Sequence, residues 1–172
     1  TVEAKSGYGL TTVDELRLLE LYRELNRSHD VDVLATFMGA HTIPLEHRED
    51  PGAYMDLVVE EMLPQVAERG LAHYCDVFCE PGFFDLEQSR RVLEKARELG
   101  MQLLIHADQL QQAGGAELAA ELGVLGASHL DHVDEDGISA LAEAGVVAQL
   151  LPGATFFLGH TVYAPARRLL EK

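Results

Sequence analysis

Short apolar runs alternate along this chain with amphipathic stretches, and the alternation repeats six times. The clearest run is Leu103-Leu104-Ile105, which passes directly into His106-Ala107-Asp108-Gln109. Gly100 closes the helical pattern ahead of it and Gly114-Gly115 punctuates the chain beyond it, which predicts a buried central strand with His106 at its carboxyl end. Strand patterns of the same kind fall at 1–5, 33–38, 75–79, 127–132 and 146–151. Between them lie helical patterns. Thr12-x-x-Glu15 reads as a capping box ahead of Leu16, Leu19 and Tyr22, predicting a helix to about Ser28. A second helix is predicted over 54–69, with Pro64 expected to kink or break it. Asp85-x-x-Gln88 opens a third over 86–99, and shorter ones are predicted at 116–122, 134–144 and 164–172.

Strands that are apolar on both faces and alternate with helices specify an α/β fold with a parallel sheet under helices. Two architectures satisfy that description. A doubly wound sheet carries a glycine fingerprint at its first strand-to-helix turn, and Gly7-Tyr8-Gly9 is only a partial match. A TIM-type (β/α)8 barrel places its polar chemistry at the carboxyl ends of many strands, and this chain does so repeatedly. Lys5 with Tyr8, His41, Glu80, His106 with Asp108 and Gln109, and His129 with Asp131 and His132 stand at or just past successive strand ends.

Any one of those histidines, taken alone, is most simply a structural hydrogen-bonder; as a set converging on one crevice they point to a site. His106 has the rigid strand-end placement of a metal ligand, and His129 that of a second ligand or a general acid/base. Asp108 reads as a loop anchor. Gln109 has no protonation chemistry and would orient a substrate amide. His132 reads as a turn residue, and His29, His47, His73 and His160 as surface residues. A catalytic zinc site takes about three protein ligands. The chain contains no H-x-H, H-E-x-x-H or C-x-x-C, so its ligand set is expected to be incomplete.

Composition narrows the partners. At 172 residues the length suits one domain, and the net charge of -16 repels phosphate backbones, so no nucleic-acid partner is expected. No apolar run approaches a membrane span. Cys75 and Cys79 lie in one extended run, too far apart to bridge, and read as buried thiols. A reducing cytoplasm is the expected compartment. The chain opens on Thr1 in a strand-like pattern, so its natural start is expected to lie upstream.

Six segments in order carry a specific likeness: Thr1-Val2-Glu3-Ala4-Lys5-Ser6-Gly7-Tyr8-Gly9-Leu10, Thr36-Phe37-Met38-Gly39-Ala40-His41, Asp76-Val77-Phe78-Cys79-Glu80, His106-Ala107-Asp108-Gln109-Leu110, Gly114-Gly115-Ala116-Glu117-Leu118-Ala119 and Leu150-Leu151-Pro152-Gly153. Together they resemble the imidazolonepropionase family of metal-dependent amidohydrolases over nearly the whole chain. The resemblance implies hydrolysis of the ring amide of 4-imidazolone-5-propanoate to N-formimino-L-glutamate, in histidine degradation, with one zinc or iron ion. It implies His106 as a metal ligand, His129 as the proton-handling residue, and Tyr8, His41 and Gln109 as substrate contacts. It further implies that residues 1–172 form a single partial barrel domain holding strands two to seven, without strand one, strand eight or the family's small β domain. Activity is then expected of a complete enzyme and not of this piece. The exposed helices of such a barrel are compatible with a homodimer. Two other readings stand beside it: a different amidohydrolase, such as a cyclic deaminase, and a metal-free barrel scaffold.

Overall fold

The computed structural model describes every residue, Thr1–Lys172, and the chain divides into two compact units. The first comprises residues 1–77 and 91–102, the second residues 78–90 and 103–172.

In the first unit, β1 (Val2–Lys5), α1 (Thr12–Ser28) and β2 (Val33–Ala40) are followed by a 3-10 turn, Leu45–His47. Next come α2 (Pro51–Asp56), a π turn (Leu57–Met62), α3 (Leu63–Glu68) and the opening residues of β3 (Tyr74–Cys79). β1 lies parallel to β2, from Val2 opposite Val33 to Lys5 opposite Thr36. β2 lies parallel to β3, with a register shift between Phe37 and Ala40. Leu19, Phe37, Tyr54, Val58, Met62 and Val66 fill the core beneath these strands.

Two local expectations change here. The cap of α1 is Thr11, whose side-chain oxygen accepts the Asp14 N–H at 3.1 Å, so the predicted box at Thr12 is displaced by one residue. Glu15 is released from capping and turns instead to the amides of the loop ahead of the helix. The predicted 54–69 helix starts at Pro51, behind Asp50, whose carboxylate accepts the Ala53 N–H at 3.1 Å. The break expected at Pro64 takes the form of the π turn, in which the Leu63 N–H reaches back five residues to the Val58 carbonyl. Proline has no N–H and its ring crowds the carbonyl four residues earlier, so a widened turn is a direct way to admit it.

The second unit takes the start of α4 (Leu86–Glu98), most of β4 (Gln102–Ala107), α5 (Gly115–Leu122) and β5 (Gly126–His129). It continues through α6 (Glu135–Ala144), β6 (Val147–Gln149), α7 (Pro152–Phe157) and α8 (Ala166–Leu170). The Asp85–Gln88 box forms as predicted: the Asp85 carboxylate accepts the Gln88 N–H at 2.8 Å, and the Gln88 side-chain oxygen accepts the Asp85 N–H at 3.0 Å. β4 lies parallel to β5, and β5 parallel to β6. Leu103, Leu104 and Ile105 are all buried, as a strand covered on both faces requires.

The strand ends of this unit also differ from expectation. β5 stops at His129, because His129 and Leu130 both take left-handed backbone angles, φ 73° and 61°. Asp131 and His132 therefore lie in a turn. β6 is a short strand with Val147 60% exposed, not the six-residue buried run that its apolar sequence suggested. α7, begun by Pro152 at a helix start, falls between the expected strand and the expected final helix. Both cysteines are buried free thiols, and no helix is long and apolar enough to cross a membrane.

Candidate active site

Each unit gathers polar side chains at its strand ends. In the first, the loop leaving β1 is built around Glu15, fully buried in the first turn of α1. Its Oε2 accepts the Gly7 N–H at 2.7 Å, and its Oε1 accepts those of Gly9 at 2.7 Å and Leu10 at 3.0 Å. Gly7 has φ 101°, and a Cβ there would stand 2.5 Å from the Met38 carbonyl oxygen and 2.8 Å from the His41 Cβ. Only glycine fits. The His41 ring N–H at Nδ1 donates to the Gly7 carbonyl at 2.8 Å, which fixes the tautomer at that nitrogen. The Tyr8 ring, 77% exposed, meets the His41 ring edge-on with centroids 4.9 Å apart. Tyr8 and His41 are thus brought together. Tyr54 supports the end of β2 by donating its hydroxyl to the Gly39 carbonyl at 2.8 Å, and burial pushes its phenol well above the ordinary range.

Lys5 has a different role. Its Nζ lies 2.8 Å from Asp76 Oδ2, on a carboxylate with no solvent exposure, and 2.5 Å from Glu3 Oε1. The Thr36 hydroxyl donates to the same Glu3 oxygen. Burial acts to lower the Lys5 pKa, but the two carboxylates outweigh it and hold the ammonium above its usual range.

In the second unit, the His106 and His129 rings stand at the ends of β4 and β5 with centroids 5.2 Å apart. The Phe78 and His106 rings meet edge-on with centroids 6.4 Å apart. His129 and Gln109 are both buried. Asp108, at φ 50°, anchors the loop as predicted: its carboxylate accepts the N–H groups of Ala113 and Ala116 at 2.9 Å and of Gly115 at 3.4 Å. Those donors belong to the entry of α5, where unpaired N–H groups favour an anion. Asp131 ties down the following chain, accepting from the Thr155 hydroxyl at 2.8 Å and the Ala164 N–H at 3.2 Å.

Glu80, at the end of β3, is 1% exposed. Its Oε1 accepts the Gln109 N–H at 2.5 Å and the Leu110 N–H at 3.2 Å, while its Oε2 is buried without a hydrogen-bond partner. Burial pushes its carboxyl above the usual range, although the backbone amides of Leu110, Gln109 and Gln111 pull the other way. Sequence reasoning gave Glu15 only a helix-capping role and Glu80 only its place at a strand end. Neither sits in a recognisable motif for holding distant amides, since their partners lie 5 to 8 and about 30 residues away.

No group of three or more His, Cys, Asp or Glu side chains comes together to hold a metal ion. His106 is one imidazole donor, and a catalytic zinc or iron site needs about three. The residues of this chain therefore do not make up a metal site by themselves.

No family model matches the chain. Among solved structures, an adenosine deaminase from Xanthomonas campestris with bound zinc aligns with 89% of this chain and 37% of its own, at 19% identity and TM-score 0.60. The ochratoxinase of A. niger aligns with 98% of this chain and 46% of its own, at 16% identity and TM-score 0.58. With the parallel strands alternating with helices, these likenesses define the fold class: an α/β chain forming part of a (β/α) barrel. Sequence carries the assignment further. The imidazolonepropionase of Alkaliphilus metalliredigens is 55% identical over 99% of this chain, and that of Thermoanaerobacter pseudethanolicus 53% over 100%. The chain belongs to the imidazolonepropionase family, and it spans 40% and 41% of the length of these two curated relatives.

Proposed function

We propose that the protein carrying this chain hydrolyses the ring amide of 4-imidazolone-5-propanoate to N-formimino-L-glutamate in histidine degradation, in the cytoplasm, and that these 172 residues supply one partial barrel domain of it. The observation that carries the reading is identity above half to imidazolonepropionases over the whole chain. The net reaction places a water oxygen on the ring carbonyl carbon, breaks the adjacent C–N bond and moves a proton to the departing nitrogen. Tyr8 supplies a hydroxyl donor for the imidazolone ring, and His41, whose Nδ1–H is held by the Gly7 carbonyl, offers its Nε2 as an acceptor for a ring N–H. Gln109 binds a polar edge of the substrate without changing its own protonation. His129, buried beside His106, carries the proton. In the complete protein His106 would be one ligand of a zinc or iron ion, which would supply an activated water for the hydrolysis.

Assay of the full-length protein on imidazolone propionate tests the reading. The expected result is ring opening that chelators abolish and that His106→Ala lowers by roughly a thousandfold or more. Deamination or hydrolysis of a related ring, with imidazolone propionate untouched, would overturn it.

A further inference from the structure

The turn Asp108-Gln109-Leu110 that leaves β4 is held from two sides. Asp108 ties it to the entry of α5, through the amides of Ala113, Gly115 and Ala116. Glu80 grips it from the end of β3, through the amides of Gln109 and Leu110. The second hold is costly, because a buried carboxyl keeps one oxygen that bonds to nothing. Packing alone would be served better by an apolar side chain of the same volume. What the carboxyl adds is a fixed direction for the peptide planes on both sides of Gln109, and hence for the Gln109 side chain. The turn also carries left-handed backbone at Asp108, a conformation that persists only where its surroundings determine it.

We propose that Glu80 is a positioning residue for substrate binding, acting through Gln109: it holds the Gln109 and Leu110 amides so that the Gln109 side chain meets the substrate in one orientation. This rests on the hydrolase function proposed for the complete protein. Glu80 does not touch substrate, and its removal is felt as misplacement of Gln109.

The test uses the full-length protein, with Glu80→Ala, Glu80→Gln, Gln109→Ala and the Glu80→Ala/Gln109→Ala double variant. Glu80→Ala is expected to raise KM roughly tenfold with kcat within about threefold, as Gln109→Ala does, and the double variant to be no worse than either single one. Glu80→Gln keeps a carbonyl oxygen for both amides and should return KM to within about threefold of the parent. Additive effects in the double variant, a fall in kcat at unchanged KM, or failure of Glu80→Gln to rescue would each overturn the proposal. Should Glu80→Ala not fold, Glu80→Asp withdraws the carboxylate by one methylene and must show the same rise in KM. Amide hydrogen exchange separates this outcome from failure of the hydrolase reading. If the parent does not open the imidazolone ring, that reading falls, while exchange at Gln109 and Leu110 still reports the hold: slow in the parent and in Glu80→Gln, fast in Glu80→Ala. Fast exchange in the parent would sink the positioning role whatever the enzyme acts on.

Discussion

Both units suspend a strand-end loop from a buried glutamate, and they do it with different completeness. Glu15 spends both oxygens on three backbone donors, and its loop needs left-handed backbone at only one non-glycine residue, Leu10, because Gly7 takes the unusual angle. Glu80 spends one oxygen on two donors and leaves the other buried and unbonded; around it Asp108, His129 and Leu130 all carry left-handed angles. The first arrangement is relaxed and the second stores strain. Strain that neighbouring structure must hold in place gathers where side chains have to be presented in one geometry. The difference therefore sorts the two clusters: the Tyr8–His41 pair rests on a stable frame, and the His106–His129 pair on a tensioned one.

Stability measurements can break that contrast. Glu15→Ala leaves three donors without an acceptor and is expected to cost about 3 to 5 kcal/mol in denaturant unfolding, against about 1 to 2 kcal/mol for Glu80→Ala, which also relieves an unpaired buried oxygen. Equal costs would erase the distinction. Lys5→Met, which strips the buried Asp76 of its cation, is expected to cost about 3 kcal/mol by the same measurement, and a loss below about 1 kcal/mol would show that the ion network does not support the first unit.

A smaller effect should appear with pH. A carboxyl whose folded pKa is raised binds its proton more tightly folded than unfolded. Stability is then greatest below the ordinary carboxylate range and falls as pH rises through it to the raised value. Glu117 is shifted the same way by burial, so only the difference between parent and Glu80→Gln belongs to Glu80. That difference should flatten the fall, and identical pH profiles would contradict the burial of an unbonded Glu80 oxygen. The smallest effect concerns the thiols. Burial pushes Cys79 up to about 11 and Cys75 higher still, so neither should react with iodoacetamide at neutral pH until the chain unfolds. Labelling of either thiol in native buffer would show that its burial does not protect it.

Much of this fold is readable in the sequence because it depends on local chemistry. The run 103–109 announces β4 and its terminal histidine, Asp85-x-x-Gln88 announces a helix start, and Asp108 is legible as an anchor because glycines and a helix entry come after it. The misses share a cause. Glu15 looks like half of a capping box, yet three amides of the preceding loop offer it more than its own helix end does. Glu80 holds amides about thirty residues away, and no spacing rule reports such a bond. The strand expected to run through His132 stops at His129 because a backbone reversal overrides an apolar-polar alternation. Val147 is apolar and exposed, and apolar content by itself never specifies which strand face is covered.

The π turn at Leu57–Met62 has a consequence for how this segment tolerates change in length. Such a turn is a single-residue insertion accommodated within a helix, and excising one residue from 57–62 would restore an ordinary α-helical path through α2 and α3. Pro64 would then lie in an uninterrupted helix with its ring against the carbonyl four residues before it. The extra residue and the proline are thus a compensating pair: a deletion here should be survivable alongside Pro64→Ala and disruptive without it.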